Sequence, residues 1–234
     1  MKYIVFVMTL FLSTAAFAQI DLKKIKNKVI GSKPSTEEVA SGLKEALTKG
    51  TSKGTDEVSK TDGYFKNPEI KIPFPPEVQQ VETTLRKMGM NKQVDEFVLS
   101  LNRAAEDAAK EAKPIFVDAI KKMTIQDAWS ILKGEDDAAT KYLDKTTSAQ
   151  LKDKFKPIIK ASLDKVSATK YYKDLITAYN KVPLVKKVNP ELDTYATDKA
   201  TDGLFVMIAK EEKNIRQNPG ARTTDLLKKV FSQK

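Results

Sequence analysis

Two short runs of polar residues could do chemistry. One is Asn102, Arg103 and Glu106; the other is Glu211, Glu212 and Arg216. The chain uses lysine for nearly every cation, and arginine occurs only at Arg86, Arg103, Arg216 and Arg222. Against that background an arginine marks a place where a planar fork of donors matters, as in bidentate recognition of a carboxylate or phosphate. Arg103 precedes Glu106 by three residues and Glu212 precedes Arg216 by four, so each pair shares one helix face. Two arrangements fit. Each pair can be a salt bridge tying core helices together. Alternatively, the helix of Asn102, Arg103 and Glu106 faces that of Glu212 and Arg216, and the five line a polar pocket for an anionic head group or carboxylate.

Glu211 and Glu212, or Glu135, Asp136 and Asp137, invite an acid–base reading, since glycoside hydrolysis uses two carboxylates roughly 5–10 Å apart. The latter three follow Gly134 and precede a helical pattern, where capping residues belong. They also lack the alternating ligand spacing of a calcium loop. Tyr171, Tyr172, Tyr179 and Tyr195 could floor a carbohydrate or lipid site, although aromatics at helical spacing usually pack into a core. The chain has no histidine and no cysteine. That removes the usual Ser-His-Asp and Cys-His machinery and ordinary zinc, copper and haem ligation. No glycine-rich nucleotide loop occurs. Neither a metal nor a cofactor is expected.

The elements that must position these residues are helices. Ser35 with Glu38 reads as a capping box, and Val39, Leu43, Ala46 and Leu47 follow as an apolar stripe. Further stripes start near Pro76, Val94, Pro114, Ile125, Ala139, Leu151, Tyr171, Leu192 and Leu226. Gly89 and Gly134 suit helix ends. Asp136 or Asp137 is read as the cap of one helix and Thr147 or Ser148 as the cap of the next, which Pro157 should kink or split. Gly50–Lys60 is poor in apolar residues and supports a helix weakly. Two stretches look extended. One is the proline-rich strap Asn67–Val78, in which Ile70, Ile72 and Phe74 alternate with polar residues or proline. The other is Lys181–Val188, and the two could pair. The fold class is all-α: a compact multi-helix bundle with a short extended proline-rich strap. The strap lacks PxxP spacing, so it reads as a structural element across a helical core, with a pocket wall as the second reading.

Lys2, the apolar run Tyr3–Leu12 and Ala16-Phe17-Ala18 form the pattern of a signal peptide over residues 1–18. Residues 19–34 then form a basic arm, with Leu22, Ile25 and Val29 on one face, and residues 35–234 a single helical domain. Export, most simply to the periplasm, and a soluble mature chain follow as expectations. Lysine and arginine total 41 against 31 acids, a net charge of +10. The absence of a basic block interleaved with aromatics argues against nucleic acid. A lysine-rich surface suits weak attraction to anionic envelope components.

Several phrases also carry a family resemblance: "GLKEAL" at Gly42–Leu47, "KIPFP" at Lys71–Pro75, "NRAAE" at Asn102–Glu106, "DDAAT" at Asp136–Thr140, "TSAQL" at Thr147–Leu151 and "DGLFVMIAKEEKNIRQNP" at Asp202–Pro219. In this order and spacing they resemble the bacterial family called domain of unknown function 4197, from about Gly42 to Phe231. The resemblance implies an exported, mainly helical protein and no particular activity. Gly50–Lys60 departs from the family's more apolar pattern. Taken together, the sequence reads as a non-enzymatic exported binding or interaction protein. Its partner would be an apolar or anionic envelope component: a lipid, a cell-wall fragment or an envelope protein. A carboxylate-based hydrolase acting on glycan, or a membrane-surface protein using the basic arm, are the alternatives.

Overall fold

Apolar residues recur at helical spacing along most of the chain, and the backbone follows them. A computed structural model describes residues 35–231 apart from 182, 185 and 223. The expected signal peptide and basic arm, with Leu22, Ile25 and Val29, lie outside the described residues. In chain order the helices are α1 (Thr36–Val58), α2 (Gln79–Lys87), α3 (Asn91–Ala109), α4 (Ala112–Lys122), α5 (Ile125–Lys133), α6 (Ala138–Lys165), α7 (Ala168–Tyr179), α8 (Leu192–Gln217) and α9 (Asp225–Phe231), with single 3-10 turns at Pro76–Val78 and Pro219–Ala221. Among the described residues there is no strand, and the fold is all-α. These helices belong to one compact unit, Pro34–Lys234. No described helix is long and apolar enough to cross a membrane.

Helix ends follow local chemistry. Ser35 and Glu38 exchange capping hydrogen bonds of 2.8 and 3.1 Å at the start of α1. Thr124 and Asp127 do the same for α5. Hydrogen bonding to Thr124 holds the Asp127 carboxyl below the usual aspartate range. Gly89, at φ +83°, ends α2 in a Schellman turn, with Met90 N–H donating to Leu85 O and Gly89 N–H to Arg86 O.

The core forms around α8, which packs along α6 and α1. Leu192, Ala196, Ala200 and Leu204 are fully buried on its inner face. Small residues set the close approaches. Gly50, Thr51, Gly54, Thr55 and Val58 form a buried stripe on α1. A Cβ at Gly54 would lie 3.6 Å from the backbone nitrogen of Ile208 on α8. This corrects the weak expectation for Gly50–Lys60: α1 continues to Val58 because its face there is small, not because it is strongly apolar. Tyr64 lies flat over Gly203, fully buried, and its hydroxyl donates to the Ala200 carbonyl at 2.6 Å.

Three other expectations are corrected. Residues 138–165 form one helix rather than two. Thr147 is buried inside it and its hydroxyl bonds back to Leu143 O at 2.6 Å instead of capping a new helix. Ser148 likewise bonds Asp144 within the same helix. Pro157 does not split α6, because it sits on the exposed face beside an exposed Asp153, whose unpartnered carbonyl can turn to water. Finally, the two extended stretches form no pairing among the described residues. The second is interrupted by a turn at Pro183 and Leu184, and Pro68–Ile70 of the first also form a turn.

Two outcomes test the packing. Gly203→Ala would bring a Cβ within 2.8 Å of the Tyr64 ring and 3.1 Å of Ile70 Cβ. The expected loss is about 1–3 kcal/mol, read from urea denaturation. A neutral result would show the Tyr64 seat to be loose. The second concerns pH. Burial pushes the Tyr64 and Tyr195 hydroxyls above the ordinary tyrosine range and Tyr172 up to about 12. The folded chain therefore keeps protons that the unfolded chain releases. Stability is full below about pH 10 and falls as pH rises from there toward 12. Tyrosinate absorbance in an alkaline titration should show a late group of tyrosines ionising together with loss of helical circular dichroism.

Candidate functional site

The expected site residues fall into two separate polar clusters that share no hydrogen-bond partner. In the first, α3 holds the strap. The Asn102 amide takes both backbone groups of Ile72, accepting from its N–H at 2.8 Å and donating to its carbonyl at 2.9 Å, with a further bond to Val98 O. One side-chain amide thus replaces the neighbouring strand that a buried extended residue normally needs. Ile70, Ile72 and Phe74 are buried. Tyr195 donates from its hydroxyl to Pro73 O at 3.1 Å. One turn along α3, Glu106 accepts from the N–H groups of Tyr64 and Phe65 at 3.1 and 3.2 Å. Its second oxygen takes Arg103 at 2.6 Å, and Arg103 also reaches Asp62 at 2.6 Å. Hydrogen bonds from Lys66 and then Arg103 lower the Asp62 carboxyl, while bonds to Asp62 and Glu106 raise Arg103.

The second cluster sits where three helices meet. Glu212 receives the N–H groups of Ala139 and Thr140 at 2.9 and 2.8 Å, together with the Thr140 hydroxyl at 2.8 Å. These are first-turn donors of α6, so a carboxylate from α8 caps it and meets the positive end of its dipole. This corrects the assignment of that role to Asp136 or Asp137. Asp137 makes no side-chain cap and pairs with Lys141 instead, while Asp136 accepts from Gln217. Arg216 binds Glu212 at 2.8 Å and donates to Ile131 O at 2.8 Å and, more weakly, Leu132 O at 3.4 Å, at the C-terminal end of α5. The two side chains are 5% and 3% exposed, so this pair is deeply desolvated. The cavity beside it is only about 20 Å³, room for roughly one water. Glu211 points elsewhere, to Lys53 at 2.7 Å, and that bond raises the Lys53 ammonium.

The larger opening lies between α3 and α7. It is a groove of about 810 Å³, in the size range of small-molecule sites. Its wall includes Phe74, Leu85, Val94, Phe97, Tyr172 and Leu175. Phe74 and Phe97 are 5.0 Å apart between ring centroids, and Phe97 and Tyr172 are 6.3 Å apart and stacked. The strap therefore supplies a wall of this groove while its side chains stay buried. Two cations line it as well. Arg103 is already engaged by Asp62 and Glu106, whereas Lys165 has no ion-pair partner among the described residues. The acids on the lining, Glu96 and Asp107, pair with Lys92 and Lys110.

Of Asn102, Arg103, Glu106, Glu212 and Arg216, Arg103 alone lines this groove. The structure does not bring Glu212 and Arg216 to it. Sequence reasoning passed over Lys165 and Leu175 because a lone lysine and a stripe leucine carry no distinguishing pattern. Tyr172 was visible as an aromatic, but its helical spacing fits a core equally well.

The architecture defines an all-α protein with an apolar, aromatic-walled groove and two internally satisfied polar clusters. The chain belongs to the family described as "Protein of unknown function (DUF4197)", whose model matches residues 33–232. No curated protein and no solved structure matches it.

A double-mutant cycle tests the second cluster. Glu212→Gln or Arg216→Met alone should each cost about 3–5 kcal/mol, since each strands a buried partner. The double variant should cost clearly less than the sum, by thermal or urea denaturation. Additive losses would mean that the two residues act independently.

Proposed function

We propose that this protein is a non-enzymatic binding protein exported to the bacterial envelope, and that it holds a single amphiphile with an apolar chain and an anionic head in the α3–α7 groove. The observation that carries this reading is the groove itself: aromatic and aliphatic walls, with Lys165 on its lining and unpaired among the described residues. Burying an acyl chain against Phe97, Tyr172 and Leu175 supplies the affinity, and Lys165 orients the head. Arg103 contributes donors rather than net charge, because Asp62 and Glu106 already balance it. The basic composition and the signal-peptide pattern at residues 1–18 support export to an anionic environment.

The glycan-hydrolase reading is weaker on the same grounds. Glu212 accepts five donor contacts from Ala139, Thr140 and Arg216, and Glu211 is held by Lys53. A carboxylate so committed is poorly placed to take or give a proton to a substrate.

The test is titration with a fluorescent fatty-acid probe, followed by displacement with unlabelled fatty acid and with the corresponding alcohol. Saturable binding is expected, with the acid displacing better than the alcohol. Leu175→Trp, which fills the groove, should weaken binding at least about tenfold. Lys165→Glu should erase most of the preference for the acid. Absence of saturable binding, or wild-type affinity in Leu175→Trp, would overturn the reading. Native mass spectrometry of protein taken from its own envelope gives an independent look at any retained amphiphile.

A further inference from the structure

The groove reaches the surface at the corner where α6 turns into α7, and this corner has an unusual surface. Val166 is 57% exposed and Tyr171 67% exposed, and both line the groove. Met88, Ile125, Leu184 and Val206 are exposed elsewhere, but of these open apolar side chains only Val166 and Tyr171 lie on the groove, where they extend its apolar wall to the surface. The turn is sharp: Ser167 sits at φ +56°, and its N–H returns to Asp164 O. Around Val166 and Tyr171 stand Lys165, Lys170 and Lys173, all exposed and all without an ion-pair partner among the described residues. Asp164 is tied to Lys160 at 2.6 Å, and α7 carries one acid, Asp174.

We infer that this corner docks on a membrane surface rich in anionic lipid, Val166 and Tyr171 entering the interface and the three lysines facing the head groups. The chemistry is that of an interfacial anchor: a few apolar and aromatic side chains with a ring of lysine, none of it long enough to span a bilayer. Phosphate-bearing head groups suit lysine, which binds them as a point charge on a flexible stem. Continuity with the groove gives the docking a purpose. An acyl chain leaving the bilayer at this corner passes from lipid to Val166 and Tyr171 and then to Tyr172 and Leu175 without crossing water. The inference rests on the groove reading for that purpose, but the docking is measured separately.

Co-sedimentation with vesicles decides it. The purified protein should bind vesicles of equal phosphatidylglycerol and phosphatidylcholine and lose about tenfold in partitioning on phosphatidylcholine alone. Val166→Asp should lose a similar factor on the anionic vesicles. Lys170→Glu/Lys173→Glu, whose positions lie off the groove wall, should lose anionic binding while still taking up the fatty-acid probe. Trp129, outside both corner and groove, reports that each variant is folded. Wild type that stays in the supernatant, or variants that sediment like wild type, overturn the docking. In that second outcome another surface, such as the basic arm, would be the anchor. Leu175→Trp separates the two readings, since a narrowed groove should weaken probe uptake at least about tenfold and leave vesicle binding intact. Failure of wild type to take up the probe would count against the groove alone.

Discussion

A helix that ends inside a protein leaves donors or acceptors with nowhere to go, and this fold is arranged around that constraint. At the junction of α5, α6 and α8, one ion pair answers it twice. Glu212 takes the first amides of α6 and Arg216 takes the last carbonyls of α5. The charges match the dipoles they face, negative at an N-terminus and positive at a C-terminus. A buried ion pair alone is a weak source of stability, because desolvation offsets much of the attraction. Here the desolvated groups also bond four backbone groups, of which Ile131 O alone has a second partner, the Gly134 N–H, so losing either side chain strands more than its partner.

The same constraint explains the asparagines. Ile72 lies in the extended part of the strap and is 1% exposed, with no strand beside it. Asn102 supplies the acceptor and donor that a strand would have offered. Asn180 does the same for Val188, accepting from its N–H at 2.9 Å and donating to its carbonyl at 2.8 Å. Two irregular segments are thus each held by one side-chain amide, whose donor and acceptor sit on separate atoms side by side and so match the N–H and C=O of one residue. A polyalanine-like interior would have no means of holding the strap, and the wall that Phe74 lends to the groove would go with it.

Much of this is legible in the order of the residues alone. Apolar periodicity locates the helices, and the capping boxes at Ser35 and Thr124 locate two of their starts. Where the pattern misleads, the deciding partner is distant in sequence. Nothing near Asp137 says that its helix is capped by Glu212 from 72 or more residues away. Nothing near Gly54 says that Ile208 needs the space that a small residue leaves. The arginines do mark forked contacts, and each of the four engages more than one group: Arg86 takes Glu82 and Asp95, and Arg222 takes the carbonyls of Ile215 and Arg216. What the sequence could not disclose is that these partners belong to the chain itself. A fork built for a ligand and a fork built for a helix end have the same local spacing.

That distinction also shapes what the groove can select. The rigid, well-satisfied parts of the molecule hold the arginines, and the groove is left with aromatics and one uncommitted lysine. Arg103 stands between two carboxylates, so a ligand gains little net charge from it; drawing it away would strand Glu106, whose side chain is 4% exposed. Lys165 carries no such obligation and can swing its ammonium over several ångströms at the cost of a few rotamers. Discrimination by head group should therefore be coarse, favouring anions as a class over any one shape. Discrimination by the apolar portion should be finer, because Asn102 ties the strap that carries Phe74 to the helix that carries Phe97, and Phe97 packs in turn on Phe74 and Tyr172. If the groove holds an amphiphile as proposed, the packed side of the wall sets its preference, and the charge at its edge sets only which way round the ligand enters.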